Sequence, residues 1–285
     1  MQSLKIIPLL VLAVLAATPS RTQVPADTVL FARDSALDIP TDPTTIFFRE
    51  GEKSKSPGKI LLMLKDGKTR SLSALMKRFA PDENTPSLYA DHVFCDMDND
   101  GKKELLISNF TGGAHCCDEI YVFTYMAPGK YRQTVKLFAG NTIITKEKEF
   151  IYDFHEQFGY FFTCFACGYE DSTDVAPQHI STILLRYHKG KMKVQPGDPE
   201  LKTLILDNLD KLGEQPYQPL EEDIAQDNGL RKEIALNLVV YYYSFGKNLA
   251  GTLQLFYKYY RHPDVKTTWA AFVKQLQYLQ QENDF

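Results

Sequence analysis

The sequence predicts an α+β protein: an antiparallel, β-rich N-terminal region followed by a C-terminal helical bundle or layer. Two observations predict it. Between about Thr28 and Val194 the apolar residues fall in short runs separated by Gly, Pro, Asn and Asp, the pattern of many strands joined by tight turns rather than of strands alternating with crossover helices. After Pro196 the apolar spacing changes to steps of three and four, which is one face of a helix. With 44% apolar residues and a formal net charge of only -4, the chain belongs to neither the disordered class nor the strongly basic nucleic-acid binders.

Residues 1–5 carry one positive charge, residues 6–17 are apolar apart from Pro8, and the small residues Ala16, Ala17, Thr18 and Ser20 follow. That order is the order of a secretory signal peptide, expected over residues 1–20. The apolar run is shorter than the roughly 20 residues that span a bilayer, and no later stretch approaches that length. The expectation is therefore an exported protein, secreted or periplasmic, with no stable membrane insertion once the signal is removed. A β-rich domain is expected over residues 24–196 and a helical region over 198–285.

Within the first region, strands are expected at residues 46–48 and 59–64, the latter turning at Asp66-Gly67. A single helix fits residues 72–79. Further strands fit residues 92–95, 104–108, 120–125, 131–138, 142–145, 150–154 and 158–164, and a hairpin joins 180–187 to 191–194 through His188-Lys189-Gly190. In the second region, residues 200–212 read as one helix. Leu230, Ile234, Leu238, Tyr241, Tyr242 and Phe245 mark a second amphipathic helix. Leu249, Leu253, Phe256, Tyr257 and Tyr260 mark a third, and Val265, Trp269, Phe272, Val273, Leu276 and Leu279 a fourth. Gly246 and Pro263 separate them. The tyrosines of these helices are read as packing rings, since Tyr spans apolar and wet zones without a ligand. A protein or glycan partner is compatible with this surface, and the charge balance of 32 basic against 36 acidic residues speaks against nucleic acid.

One segment carries recognisable chemistry: Asp96-Met97-Asp98-Asn99-Asp100-Gly101-Lys102-Lys103-Glu104. Carboxylates at loop positions 1, 3, 5 and 9, with Gly at 6 for the sharp reversal, suit Ca2+, a hard cation that takes 6 to 8 oxygens. The expected ligands are Asp96, Asp98, Asp100, the carbonyl of Lys102, and Glu104. Position 12 is Ile107 where an EF-hand places its bidentate Glu, and the flanks read as strands, so this is not an EF-hand. The segment resembles the calcium-loop hairpins of FG-GAP and VCBS repeats, with a signature close to D-x-D-x-D-G-x-x-D/E-L. The resemblance covers residues 94–109 and implies a calcium ligand set. It implies no propeller, because the loop occurs once. Gly112-Gly113-Ala114-His115-Cys116-Cys117 follows, and this order resembles exported bacterial proteins without an assigned activity.

The five cysteines are Cys95, Cys116, Cys117, Cys164 and Cys167. Outside the cytosol paired thiols oxidise, so Cys116, Cys117, Cys164 and Cys167 are disulfide candidates, with three connectivities open, and Cys95 in its apolar run is the free one. A zinc site from His115 and these cysteines has the wrong spacing for familiar zinc modules. Cys164 and Cys167 also have the spacing of a redox motif, but active versions sit at a helix N-terminus, whereas an aromatic strand is expected before this pair. Asp153, His155 and Glu156 read as loop charges, since no nucleophile elbow, phosphate loop or zinc helix accompanies them. The expectation is an exported, disulfide-stabilised calcium-binding protein with a structural or binding role and no assigned catalysis. The alternative is an exported enzyme, either a thiol oxidoreductase using Cys164 and Cys167 or a hydrolase with a structural calcium.

Overall fold

The computed structural model describes residues 28–30, 60–79, 90–111, 118–139, 143–145, 147–167, 169, 179–215, 219–221 and 224–285. The signal segment, the strand expected at 46–48 and the Gly-Gly-Ala-His-Cys-Cys turn lie outside these residues. The fold is α+β, as the two apolar periods predict. In chain order its elements are β1 (Thr28–Leu30), β2 (Leu61–Met63), β3 (Thr69–Ser71), α1 (Leu72–Phe79), β4 (Ala90–Cys95), β5 (Glu104–Phe110), β6 (Asp118–Ala127), β7 (Lys130–Ala139), β8 (Ile143–Thr145), β9 (Glu149–Asp153), α2 (His155–Phe158), β10 (Thr182–His188), β11 (Lys191–Val194), α3 (Pro199–Gly213), β12 (Pro219–Glu221), β13 (Ile224–Asp227), α4 (Leu230–Ser244), α5 (Leu249–Tyr259) and α6 (Val265–Glu282). No helix among the described residues is long and apolar enough to cross a membrane.

A six-stranded sheet runs in the order β3-β2-β7-β6-β5-β4, and a five-stranded sheet in the order β1-β8-β9-β10-β11. All pairs in them are antiparallel except β2 with β7, which is parallel. That one pair departs from the all-antiparallel expectation. The Asp66-Gly67 turn sends β3 back along one edge of β2, and β7 takes the other. The tips are built from left-handed residues: Gly67 has φ 79°, and Lys189 and Gly190 have φ 48° and 80°, as a two-residue hairpin turn demands.

The six-stranded sheet is buried on both faces. Alternate residues of β5 diverge: Leu105 and Ile107 join Leu62, Phe123 and the α1 residues Leu72 and Leu75 in one cluster, while Leu106 joins the other. That second cluster is the main core. It combines Val93, Ile120, Val122, Val135 and Leu137 with Phe150, Tyr152, Ile183 and Leu185 of the second sheet and with the apolar faces of α3 to α6. The helices are therefore a layer on the sheets with a shared core.

Two expectations fail locally. No strand forms at residues 158–164. The chain turns helical at His155–Phe158 and then bends, with Phe162 at φ 55°, so that Phe158 and Phe161 still enter the core. A short apolar run suits a buried turn as well as a strand, and periodicity alone does not separate them. Nor is α4 amphipathic: it is the central helix, and every residue but Tyr241 is buried. Its polar side chains are matched instead of solvated. Arg231 meets Asp227 at 2.8 Å and Asp264 at 3.2 Å, Glu233 meets His179, and Asn208 donates to Asn237 at 3.3 Å.

After α6 the chain lies along β7. The Asp284 N–H donates to the Lys136 carbonyl at 3.0 Å, the Lys136 N–H donates to Asp284 Oδ2 at 2.5 Å, and the Phe138 N–H donates to Asn283 Oδ1 at 2.7 Å. The Phe285 ring packs on Tyr152 and Tyr243.

Candidate metal centre

The register pairs Cys95 with Glu104, so residues 96–103 form the connection of the β4–β5 hairpin. Met97 anchors its base in the main core. The connection reverses through two left-handed residues, Asn99 at φ 60° and Gly101 at φ 84°. A Cβ at Gly101 would meet nothing within 4 Å, so the glycine is required by its backbone angle and not by space.

The carboxylates are held by backbone amides. Asp96 accepts from the Asp100 and Gly101 N–H groups, both at 3.0 Å. Glu104, 3% exposed, accepts from the Met97 N–H at 2.8 Å. Asp98 Oδ2 accepts from the Lys189 N–H at 2.8 Å, which joins the loop to the tip of the β10–β11 hairpin in the other sheet. Asp98 Oδ1 is buried and has no hydrogen-bond partner among the described residues. Asp96, Asp98 and Glu104 each present an oxygen, and these oxygens lie within 4.8 Å of one another. Burial, followed by the nearby charges of Asp98 and Asp100, pushes the Glu104 carboxyl up to about 7.

Of the five expected ligands, three are thus together. Asp100 stands outside the group of three: it is exposed, and its Oδ1 accepts from the Lys102 N–H at 2.8 Å. Lys102 is exposed, with its ammonium 3.5 Å from Asp100 Oδ2. Two contributors were not foreseen, the Lys189 N–H on Asp98 and a second lysine. Lys148, just before β9, donates to the Asp96 carbonyl and, at 2.6 Å, to Asn99 Oδ1. No local signal marks it, because it reaches the loop from 49 residues away.

Cys164 and Cys167 are bridged to each other, with Cα atoms 5.1 Å apart, and Cys95 is free. Burial pushes the Cys95 thiol up, which makes it a poor nucleophile. Cys116 and Cys117 lie outside the described residues. The loop charges at Asp153 and His155 have company from a distant helix: His179 Nδ1 lies 3.1 Å from both carboxylate oxygens of Glu233, and the His155 and His179 rings are 6.0 Å apart. Glu233 raises the affinity of His179 for its proton, whereas burial lowers that of His155.

No family model, curated protein or solved structure matches this chain.

Proposed function

We propose that this is an exported protein in which one Ca2+, held at the β4–β5 connection, ties the two sheets together in a structural or binding role. The observation that carries the reading is the convergence of Asp96, Asp98 and Glu104 around the partnerless buried Oδ1 of Asp98. An orphaned buried carboxylate oxygen is costly, and a cation is the simplest group that satisfies it. The donors are all oxygen, which favours a hard cation over zinc or copper. Asp96, Asp98 and Glu104 would supply the side-chain ligands. Because Asp98 also accepts from Lys189, the ion would brace the tip of one sheet against a hairpin of the other. Export rests on the charged and apolar pattern of residues 1–20.

The test is thermal unfolding with and without calcium. For a weak extracellular-type site, with Kd about 10⁻⁴ M, calcium at 100 times Kd stabilises by about 2.7 kcal/mol. In a chain of this size that corresponds to a rise in Tm of roughly 5 °C. Asp98→Asn should remove the rise. An unchanged Tm in wild type at 10 mM calcium refutes the proposal.

A further inference from the structure

Under the Cys164–Cys167 turn lies a charge that the cation loop does not use. Lys232 of α4 is 0% exposed, and its ammonium donates to three carbonyls: Cys164 at 3.2 Å, Phe165 at 3.2 Å and Gly159 at 3.4 Å. No carboxylate among the described residues lies within ion-pair distance of it. Its neighbour Glu233 is turned to His179, and Asp227 is turned to Arg231. Burial accordingly lowers the proton affinity of Lys232. The charges of Glu233 and Asp227 offset part of that burial, and strongly desolvated groups of this kind cluster at functional sites.

The bridge above it lies in a partly exposed turn. Cys164 and Cys167 are half-buried, and Ala166 between them is exposed. Tyr160, 66% exposed, sets its ring 5.3 Å from that of Phe165 and gives the turn an apolar rim. The turn is also fixed in place. His155 Nε2 lies 3.1 Å from the Phe165 carbonyl that Lys232 shares. A Cβ at Gly159 would stand 2.3 Å from the Phe165 ring, so only glycine lets the turn settle there.

We propose that Cys164–Cys167 is the oxidised form of a thiol–disulfide exchange site for dithiol substrates, and that Lys232, held on the backbone carbonyls of Cys164 and Phe165, is the nearby positive charge whose field favours the Cys164 thiolate. The thiolate of an incoming dithiol attacks Cys167 Sγ, forming a mixed disulfide and breaking the bridge. Cys164 leaves as a thiolate, stabilised through space by the ammonium that donates to its own carbonyl. The second substrate thiol, having lost its proton to water, then displaces Cys167, which takes a proton from water. Two electrons pass from the dithiol to the bridge, and the dithiol departs as a disulfide. Lys232 takes the place of the helix N-terminus that this motif lacks here. An opposite charge favours the thiolate and so makes the bridge easier to reduce. This inference is independent of the cation loop.

The test uses the full chain and reads each cysteine separately. After reduction, iodoacetamide labelling across pH with peptide-resolved mass spectrometry should place the Cys164 midpoint at least one unit below the ordinary thiol value of about 8.5. Lys232→Met should move the midpoint up by about one unit, and it should slow reduction of the bridge by dithiothreitol roughly tenfold. If Lys232→Met does not fold, Cys167→Ser keeps Lys232, leaves Cys164 permanently free and gives the same titration. A Cys164 midpoint at or above 8.5, or a bridge that millimolar dithiothreitol leaves intact in the folded protein, overturns the proposal.

Discussion

At the β4–β5 connection, three carboxylates drawn from residues 96–104 face one another near the surface. Under the Cys164–Cys167 turn, one ammonium is sealed beneath carbonyls from residues 67 to 73 positions away in the chain. The first region gathers like charges with little between them, and the second isolates a single charge of the opposite sign. Both concentrate unpaired charge, but they do so by different means: a tight turn in one, the burial of a whole helix in the other. A turn can be read from consecutive residues. The surroundings of a central helix exist only once the fold has closed.

That difference predicts an order of effects. If burial makes the α4 side rigid, breaking its internal pairing should cost more than losing an ion at the loop. Asp227, fully buried, accepts from the Arg231 side chain at 2.8 Å and from the Gly229 N–H at 2.9 Å. Asp227→Ala removes the buried carboxylate on Arg231 Nε, and should destabilise by about 3–5 kcal/mol in denaturant unfolding. A loss under 1 kcal/mol would mean that α4 is less constrained than its burial implies.

A smaller effect is expected at the loop itself. The Lys148 ammonium sits on the Asp96 carbonyl and Asn99, where it would oppose the proposed cation. Lys148→Met should tighten calcium binding severalfold in calorimetry, a change of about 1 kcal/mol, as for one partly screened charge. Weaker binding would show that Lys148 props the loop open for the ion.

The smallest effect belongs to His179, whose side chain is about half exposed. Its proton affinity is raised by Glu233 and, more weakly, by Asp153, against burial and Lys232. A group raised in the folded state contributes stability that is complete below its unfolded value near 6.5 and is lost as pH rises through the higher folded value. Tm should therefore drift down as pH climbs above 6.5, and Glu233→Gln should flatten the drift. An NMR titration that places the His179 ring below 6.5 would reverse the sign.

Much of the fold was legible where local chemistry decides it. The helix at 72–79, the turns at Gly67 and Lys189-Gly190, and the breaks at Gly246 and Pro263 all follow from backbone preference. What escaped were choices made by neighbours. The parallel pairing of β2 with β7 is a property of two distant segments. The 158–164 run still buries Phe158 and Phe161 when bent. Arg231, Lys232 and Glu233 look like the wet side of an amphipathic helix until α4 is enclosed. At the loop, Asp96, Asp98 and Glu104 come together as spacing implies, whereas Lys148 and Lys189 reach it from the connection before β9 and the β10–β11 turn.

The segment after α6 has a consequence beyond packing. β7 extends past its short partner β2, which pairs with only Lys130, Tyr131 and Arg132. The amides farther along would offer another molecule a ready template for intermolecular strand addition. Asn283 and Asp284 hydrogen-bond at the Phe138 and Lys136 positions of that template, so the amides there are already taken within the chain.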